Sequence, residues 1–255
     1  MSNLQALLWD VDGTLADTER DGHRVAFNTA FSQAGLEWHW DARLYGQLLN
    51  VTGGKERIRY YLERFNPGWE RPADLDRFIA ELHRRKSEIF VTLMEEGLIP
   101  PRNGVIRLID EAAEAGLRLA IVTTTTPANV EALLSRFFGH MGKHPFELIA
   151  AGDVVPAKKP APDIYLWALE KMDLQPRACV AIEDSHNGLR SATAAGIQTV
   201  IITVNGYTAE EDFTGASLIV DQLGEQQSPA RVLGGAVDHA SLVDVGLLHR
   251  LHALS

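Results

Sequence analysis

The chain has 255 residues, 45% hydrophobic and 23% charged, with a formal net charge of −10 from 34 acidic and 24 basic residues. That is the balance of a globular protein with one large domain or two smaller ones. It argues against a nucleic-acid or anionic-membrane partner, so an anionic ligand must be captured by a local cluster of donors. The single cysteine, Cys179, excludes an intrachain disulfide and sits in an apolar run, where a core role is expected. No apolar run approaches the ~20 residues of a membrane span. The N-terminus lacks a basic region followed by an apolar stretch and a cleavage site. A reducing, cytoplasmic setting is the expectation, with the chain a monomer or at most a weak homodimer.

In chain order, Leu4–Trp9 reads as a buried strand that ends in Asp10 and Asp12. Residues i and i+2 of a strand share a face, roughly 7 Å apart. Two like charges at the mouth of an apolar core need a cation, a proton or hydrogen-bond donors beside them. From Thr18 to Glu96 the pattern is helical, with no convincing strand. Phe27, Ala30, Phe31 and Ala34 mark one helix, and Ile58, Tyr61, Leu62 and Phe65 a second. Leu75, Ile79, Leu82, Ile89 and Leu93 mark a third, with a bend expected. Pro100-Pro101 punctuates the return.

Beyond it, strands at Leu117–Val122, Phe146–Ala150, Cys179–Ile182 and Thr199–Val204 alternate with helical patterns at Gly104–Ala115, after Thr126-Pro127, at Asp163–Met172 and at Asn187–Ala195. The alternation predicts an α/β fold, a Rossmann-like, doubly wound parallel sheet with helices on both faces. The expected division is a core of residues 1–17 and 97–225, a helical insertion of 18–96, and a tail of 226–255 packing on the core. The end of that tail, Leu242–Leu254, reads as a short apolar helix.

In such a sheet ligands bind at the carboxyl ends of the strands. Asp10 and Asp12 follow the first strand, Thr123 to Thr126 the second, Lys158-Lys159-Pro160 the third, and Glu183-Asp184-Ser185 the fourth. Each has an ordinary reading alone: Asp-x-Asp in a turn, Thr at a strand edge, Lys-Lys in solvent, Ser185 as a helix cap. Their joint placement points to chemistry. Carboxylates without companion His or Cys suit Mg²⁺. Asp10 is positioned as a nucleophile and Asp12 as a general acid and base. Thr123 and Lys158 or Lys159 can hold phosphate oxygens.

The segments WDVDGTLADTE, VTTTT, KKPAPDIY and AIEDSHNGLRSATAAG together resemble the four ordered motifs of the haloacid-dehalogenase superfamily, and the helical insertion resembles its mobile cap. DTERDGHRVAFN and NVTGGKERI resemble CbbY-type members, which are xylulose-1,5-bisphosphate phosphatases. The resemblance implies Asp10 as nucleophile and Asp12 as acid and base. It implies Mg²⁺ held by the Asp10 side chain, the Asp12 carbonyl and Asp184, with Glu183 close to or on the metal. Thr123, Thr124 and Lys159 would hold the phosphoryl group. A sugar phosphate is the implied partner, with Glu19, His23, Arg24, Gly53, Gly54 and Lys55 of the cap facing it, and a second phosphate near Gly53-Gly54-Lys55. Trp9 stands where Phe is usual, a difference for packing more than for chemistry.

Asp12 argues against a dehalogenase or a phosphonate hydrolase of this superfamily. A β-phosphoglucomutase-like mutase shares the catalytic set, and a phosphoglycolate phosphatase is a further alternative. A binding protein on a retained fold would have lost one of the central carboxylates, and none is missing.

Overall fold

The computed structural model describes residues 3–254, so residues 1, 2 and 255 of the expected core and tail lie outside it. The first strand, β1 (Ala6–Trp9), is wholly buried. It is joined by β2 (Arg118–Thr123), β3 (Leu148–Ala151), β4 (Cys179–Glu183), β5 (Thr199–Thr203), β6 (Leu218–Val220) and β7 (Val232–Gly235). Their order across one sheet is β3-β2-β1-β4-β5-β6-β7. Neighbours from β3 to β6 run parallel, and β7 returns antiparallel to β6.

Alternation in β1 sends Leu7 and Trp9 into one apolar layer and Ala6 and Leu8 into the other. Both faces are therefore apolar, which is why this strand reads as an unbroken hydrophobic run. The layer of Leu7 and Trp9 packs on α5 (Val105–Glu114), α6 (Pro127–Phe138) and α9 (Val245–His252). The other packs on α7 (Asp163–Met172) and α8 (His186–Ala194). The chain moves from β1 out to β3, then crosses to β4 on the other side of β1. The sheet's switch point thus falls between β1 and β4, where such folds bind ligands.

Between β1 and α5 lies the helical insertion: a π-helical turn, Glu19–His23, then α1 (Arg24–Gln33), α2 (Ala42–Leu48), α3 (Gly54–Arg64) and α4 (Leu75–Glu95). It has its own aromatic-rich core of Phe27, Phe31, Trp38, Trp40, Tyr45 and Tyr61. The third helix expected, α4, runs unbroken for 21 residues. The insertion leaves and rejoins the sheet region side by side. Ala16 forms an isolated antiparallel bridge with Pro101, and the Arg102 N–H donates to the Leu15 carbonyl at 2.8 Å.

β6 and β7 were not legible in the sequence. β6 has three residues, and β7 contains Gly234 and Gly235 and carries no apolar alternation. Sheet pairing, not local pattern, makes them strands. The expected tail helix is found as Val245–His252, and Arg107, on α5, ties the tail to the core by donating to the carbonyl of Val243 together with those of Leu223 and Gly224.

Arg102 does more at the switch point. Its guanidinium donates to the carbonyls of Gly13, Thr203 (2.9 Å), Val204 (2.6 Å) and Asp221 (2.9 Å) and pairs with Asp17 at 3.3 Å. It fastens the turn after β1 to the ends of β5 and β6. Replacing Arg102 with Ala strands these carbonyls in a half-dry site. We expect a loss of about 2–4 kcal/mol in chemical denaturation. A change below about 1 kcal/mol would mean water takes over the role of the guanidinium.

Candidate functional site

The residue after β1, Asp10, and the end of β4, Glu183 with Asp184, meet at the switch point. One oxygen from each lies within 4.8 Å of the others, and all three residues are buried. Lys159, 5% exposed, reaches in from the loop before α7. Its ammonium donates to Asp10 Oδ1 at 2.7 Å, Glu183 Oε1 at 2.6 Å and the Val122 carbonyl at 2.8 Å. The Tyr165 hydroxyl donates to the same Glu183 oxygen at 2.5 Å, and Asn205 Nδ2 donates to Asp184 Oδ2 at 2.6 Å.

Two glycines make room for these carboxylates. A Cβ on Gly13, whose φ is +82°, would stand 2.1 Å from Asp184 Oδ2, and one on Gly188 would stand 1.9 Å from Glu183 Oε2. Ser185 caps α8 by accepting from the Gly188 N–H at 3.2 Å. Of the Glu-Asp-Ser cluster, only the serine does the capping.

Asp12 is held differently. Its Oδ1 accepts from the Thr18 hydroxyl at 2.6 Å and lies 2.7 Å from His23 Nε2. His23 Nδ1 in turn lies 2.7 Å from the ammonium of Lys86, on α4. An ammonium only donates, so Nδ1 accepts and Nε2 carries the proton toward Asp12. Both are deeply buried, His23 at 3% and Lys86 at 4% exposure, so His23 is not the solvated helix residue its position first suggests. Burial works against ionising Asp12, but the field and hydrogen bond of His23's Nε2–H, then Thr18 and Lys86, outweigh it and hold the carboxyl below the usual range. Burial lowers Lys86 to about 8, against the pull of Asp12 and Glu19.

Two chambers open beside these groups. The first, about 320 Å³, is lined by Asp10, Asp12, Glu19, Thr123, Thr124, Lys159 and Asp184. The second, about 380 Å³, shares Asp12, Glu19 and Thr124 and adds His23, Gly53, Gly54 and Lys55. Of the residues expected from sequence, Arg24 is placed elsewhere. Its guanidinium donates to the carbonyls of Arg20 and Trp40, and it lines neither chamber, because a helix start at Arg24 turns it along α1 and away from the turn that carries His23. Glu19 is in place, accepting from the Tyr45 hydroxyl, which itself accepts from Arg57 at 2.8 Å. Lys55 faces the second chamber and pairs with Asp153 at 2.8 Å. Lys158 pairs there with Asp153 at 3.1 Å and with Glu56 at 3.4 Å.

Sequence reading missed Arg57, His83, Lys86, Asp153, Tyr165 and Asn205. For Arg57, His83 and Lys86 a signal existed: polar side chains on helix faces otherwise committed to the core. Cys179 is buried, and burial pushes its thiol up to about 12, so it is inert. No helix among the described residues is long and apolar enough to cross a membrane.

The residues fit a divalent cation. Asp10, Glu183 and Asp184 face the one ammonium of Lys159, and Glu183 Oε2 is buried without a partner. An all-carboxylate set suits a hard ion such as Mg²⁺. The Asp12 carboxylate is not in this cluster, being turned toward His23. Burial, with Glu183 and Asp12 adding to it and Lys159 opposing, pushes Asp10 up to about 8. Asp184 is also held well above its ordinary value by burial, Asp10 and Glu183. A carboxyl raised in the folded state loses stability as pH climbs from its unfolded value, 3.8, toward its folded one. Metal-free protein should therefore lose stability between pH 4 and 8, and Mg²⁺ should raise Tm more at pH 8 than at pH 5, where protons compete for the same oxygens. Thermal unfolding with Mg²⁺ or with chelator checks this, and equal shifts at both pH values would count against the cluster as the metal site.

The family model of the haloacid dehalogenase-like hydrolases matches residues 4–196. The plasmid-encoded protein CbbY of Cupriavidus necator is 46% identical, over 96% of this chain and 97% of that protein. The crystal structure of CbbY from Rhodobacter sphaeroides in complex with phosphate is 48% identical, with a TM-score of 0.78, over 86% of this chain and 94% of that one. A variant of that protein was solved in complex with xylulose-1,5-bisphosphate. A β-phosphoglucomutase from Clostridium difficile superposes with a TM-score of 0.72 at 18% identity, over 98% of each chain, a likeness of fold alone. The carboxylate cluster, its lysine and the identity across nearly the whole length lead to one conclusion: this chain belongs to the haloacid dehalogenase-like hydrolases and, within them, is a CbbY-type phosphatase.

Proposed function

We propose that this phosphatase is Mg²⁺-dependent and converts xylulose 1,5-bisphosphate to xylulose 5-phosphate and phosphate through an aspartyl-phosphate on Asp10. The observation that carries the reading is the joining of two chambers at Asp12: one is lined by Asp10, Asp184 and Lys159, the other by Lys55, Arg57, Lys86 and Lys158. A substrate with an anion at each end matches that division. The ligand of the 48%-identical relative supports it.

An Asp10 oxygen attacks phosphorus, and the bond from phosphorus to the sugar oxygen breaks. Asp12 gives its proton to the departing alkoxide. That proton comes from His23 Nε2, which regains one at Nδ1 from Lys86. Water then attacks the phosphorus of the acyl phosphate, Asp12 takes the water's proton and passes it back through His23 to Lys86, and phosphate leaves with Asp10 regenerated. Lys159 stays beside Asp10 throughout, and Thr123 and Thr124 supply donors to the equatorial oxygens. Asp10, Glu183, Asp184 and the Asp12 carbonyl would hold Mg²⁺, which would supply positive charge beside Asp10 and the phosphoryl oxygens. Residues 18–96 act as a cap that closes over the core of residues 1–17 and 97–225, with the tail from 226 packed on that core, and closure excludes bulk water.

The test is phosphate release from xylulose 1,5-bisphosphate beside β-glucose 1-phosphate, phosphoglycolate and ribulose 1,5-bisphosphate, with Asp10→Asn as the blank. A Mg²⁺-dependent preference for the first is expected. Lys55→Ala should then lower kcat/KM more for the bisphosphate than for p-nitrophenyl phosphate, by about tenfold. Isomerised sugar phosphate without free phosphate would mean a mutase, and a preference for phosphoglycolate would discard the role given to Lys55.

The relay makes a separate prediction. Lys86 is protonated below its value of about 8 and empties above it. Turnover should fall as pH rises through that value, and Lys86→Met should be slower at all pH and lose this limb. A basic limb that persists in Lys86→Met would assign it to another group.

A further inference from the structure

The two oxygens of Glu183 are treated unequally. Oε1 accepts from the Lys159 ammonium at 2.6 Å and from the Tyr165 hydroxyl at 2.5 Å, whereas Oε2 is buried and has no partner among the described residues. Lys159 has a role beside Asp10, but nothing above calls for a hydroxyl at position 165. Tyr165 is the third residue of α7, wholly buried in the apolar layer that holds Ala6 and Leu8, and it lines neither chamber. A phenylalanine ring would fill that layer as well. The hydroxyl is the part of this side chain that packing leaves unexplained.

We propose that Tyr165 is a positioning residue that sets the metal preference of the site: its hydroxyl occupies Glu183 Oε1, leaves the carboxylate a single oxygen for a cation, and so favours Mg²⁺ over Ca²⁺. The inference rests on the metal dependence proposed above and goes beyond it in assigning the choice of ion to a residue that touches neither ion nor substrate.

A carboxylate oxygen offers two lone pairs in the plane of the group. At Oε1, Lys159 takes one and Tyr165 the other. A cation that approached Oε1 would have to displace a donor, and the ammonium would repel it. Oε2 meets neither obstacle. Gly188 leaves it space, since a Cβ there would stand 1.9 Å away. The Tyr165 ring reinforces the arrangement, because the Lys159 ammonium lies over it, 5.3 Å from its centroid. One side chain thus steadies both donors on the same oxygen.

The two ions ask different things of such a carboxylate. Mg²⁺ demands a near-ideal octahedron at about 2.0–2.1 Å, which a carboxylate serves with one oxygen. Ca²⁺ takes about 6–8 oxygens in a flexible shell and accepts both oxygens of one carboxylate. Holding Glu183 to a single oxygen therefore leaves Ca²⁺ short of a ligand and takes nothing from Mg²⁺. Removing the hydroxyl frees a lone pair on Oε1, and the carboxylate can then turn both oxygens to a larger ion.

The experiment measures metal binding without turnover. Mg²⁺ and Ca²⁺ are titrated calorimetrically, each as its chloride, into chelator-treated wild-type, Tyr165→Phe and Asp184→Asn protein, and Tm is recorded without metal. Tyr165→Phe keeps the ring and its packing. The ratio of the Ca²⁺ to the Mg²⁺ dissociation constant should fall about tenfold in this variant. Its Ca²⁺-bound crystal structure should show both Glu183 oxygens on the ion. A hydroxyl with a merely structural role would lower Tm and weaken both ions alike. An unchanged ratio would therefore overturn the inference and leave the proposed function standing. Asp184→Asn should weaken both ions, as expected of a ligand in the cluster. Undiminished binding of both ions to Asp184→Asn would overturn the proposed metal site and this inference with it.

Discussion

Three carboxylates set against one ammonium at the switch point of a parallel sheet form the constraint on which the rest of this molecule depends. Asp10, Glu183 and Asp184 are buried, and Lys159 offsets them only in part. Every nearby feature tolerates or shapes that charge. Gly13 and Gly188 clear space that any side chain would fill. Tyr165 and Asn205 donate to oxygens that burial would otherwise strand. Arg102 clamps the turn that carries Gly13 to the ends of β5 and β6. Buried like charges of this kind cost stability wherever they are not fully paired. Here they stand at the edge of two apolar layers that are fully packed on both faces of β1.

Neighbouring carboxylates in one strand end are made chemically different by their surroundings. Asp10 sits among like charges and is raised, whereas Asp12, two residues on, turns to His23 and Thr18 and is lowered. Pairs whose environments push them apart are how one site runs attack and proton transfer together. The insertion contributes to this division, because His23, Lys86 and Glu19 all come from it. The sheet brings Asp10 and the helical layer brings His23, Lys86 and Glu19 around Asp12, so neither half holds the proposed site alone.

The second chamber follows the same logic with the opposite sign. Its basic groups come from α3, α4 and the segment before α7, and its salt links, Lys55 to Asp153 and Lys158 to Glu56, run between the helical insertion and the sheet region. The groups that would recognise an anion are therefore the groups that join the two parts of the chain.

The parallel sheet, the helical insertion and the cluster of Asp10, Asp12, Thr123, Lys159, Glu183 and Asp184 were all legible in the sequence, because each is written locally: an apolar run, a 3.6-residue period, a polar residue after a strand. β6 and β7 were not, since three residues beside a formed edge become a strand by pairing. Arg24 looked like a site residue by proximity to His23, but the helix turns the two in different directions. Asp153 and Asn205 were invisible for a related reason, and Arg57, His83 and Lys86 showed only as polar residues on core-facing helix sides. Their roles depend on side chains from distant elements meeting, as in Lys86 with His23, 63 positions apart, or Lys55 with Asp153, 98 apart. Sequence by itself determined which polar residues stand at the strand ends. Only tertiary structure decided which carboxylate is raised, which is lowered, and which cations share a chamber, because those properties arise from burial and from the field of neighbours that no local pattern contains.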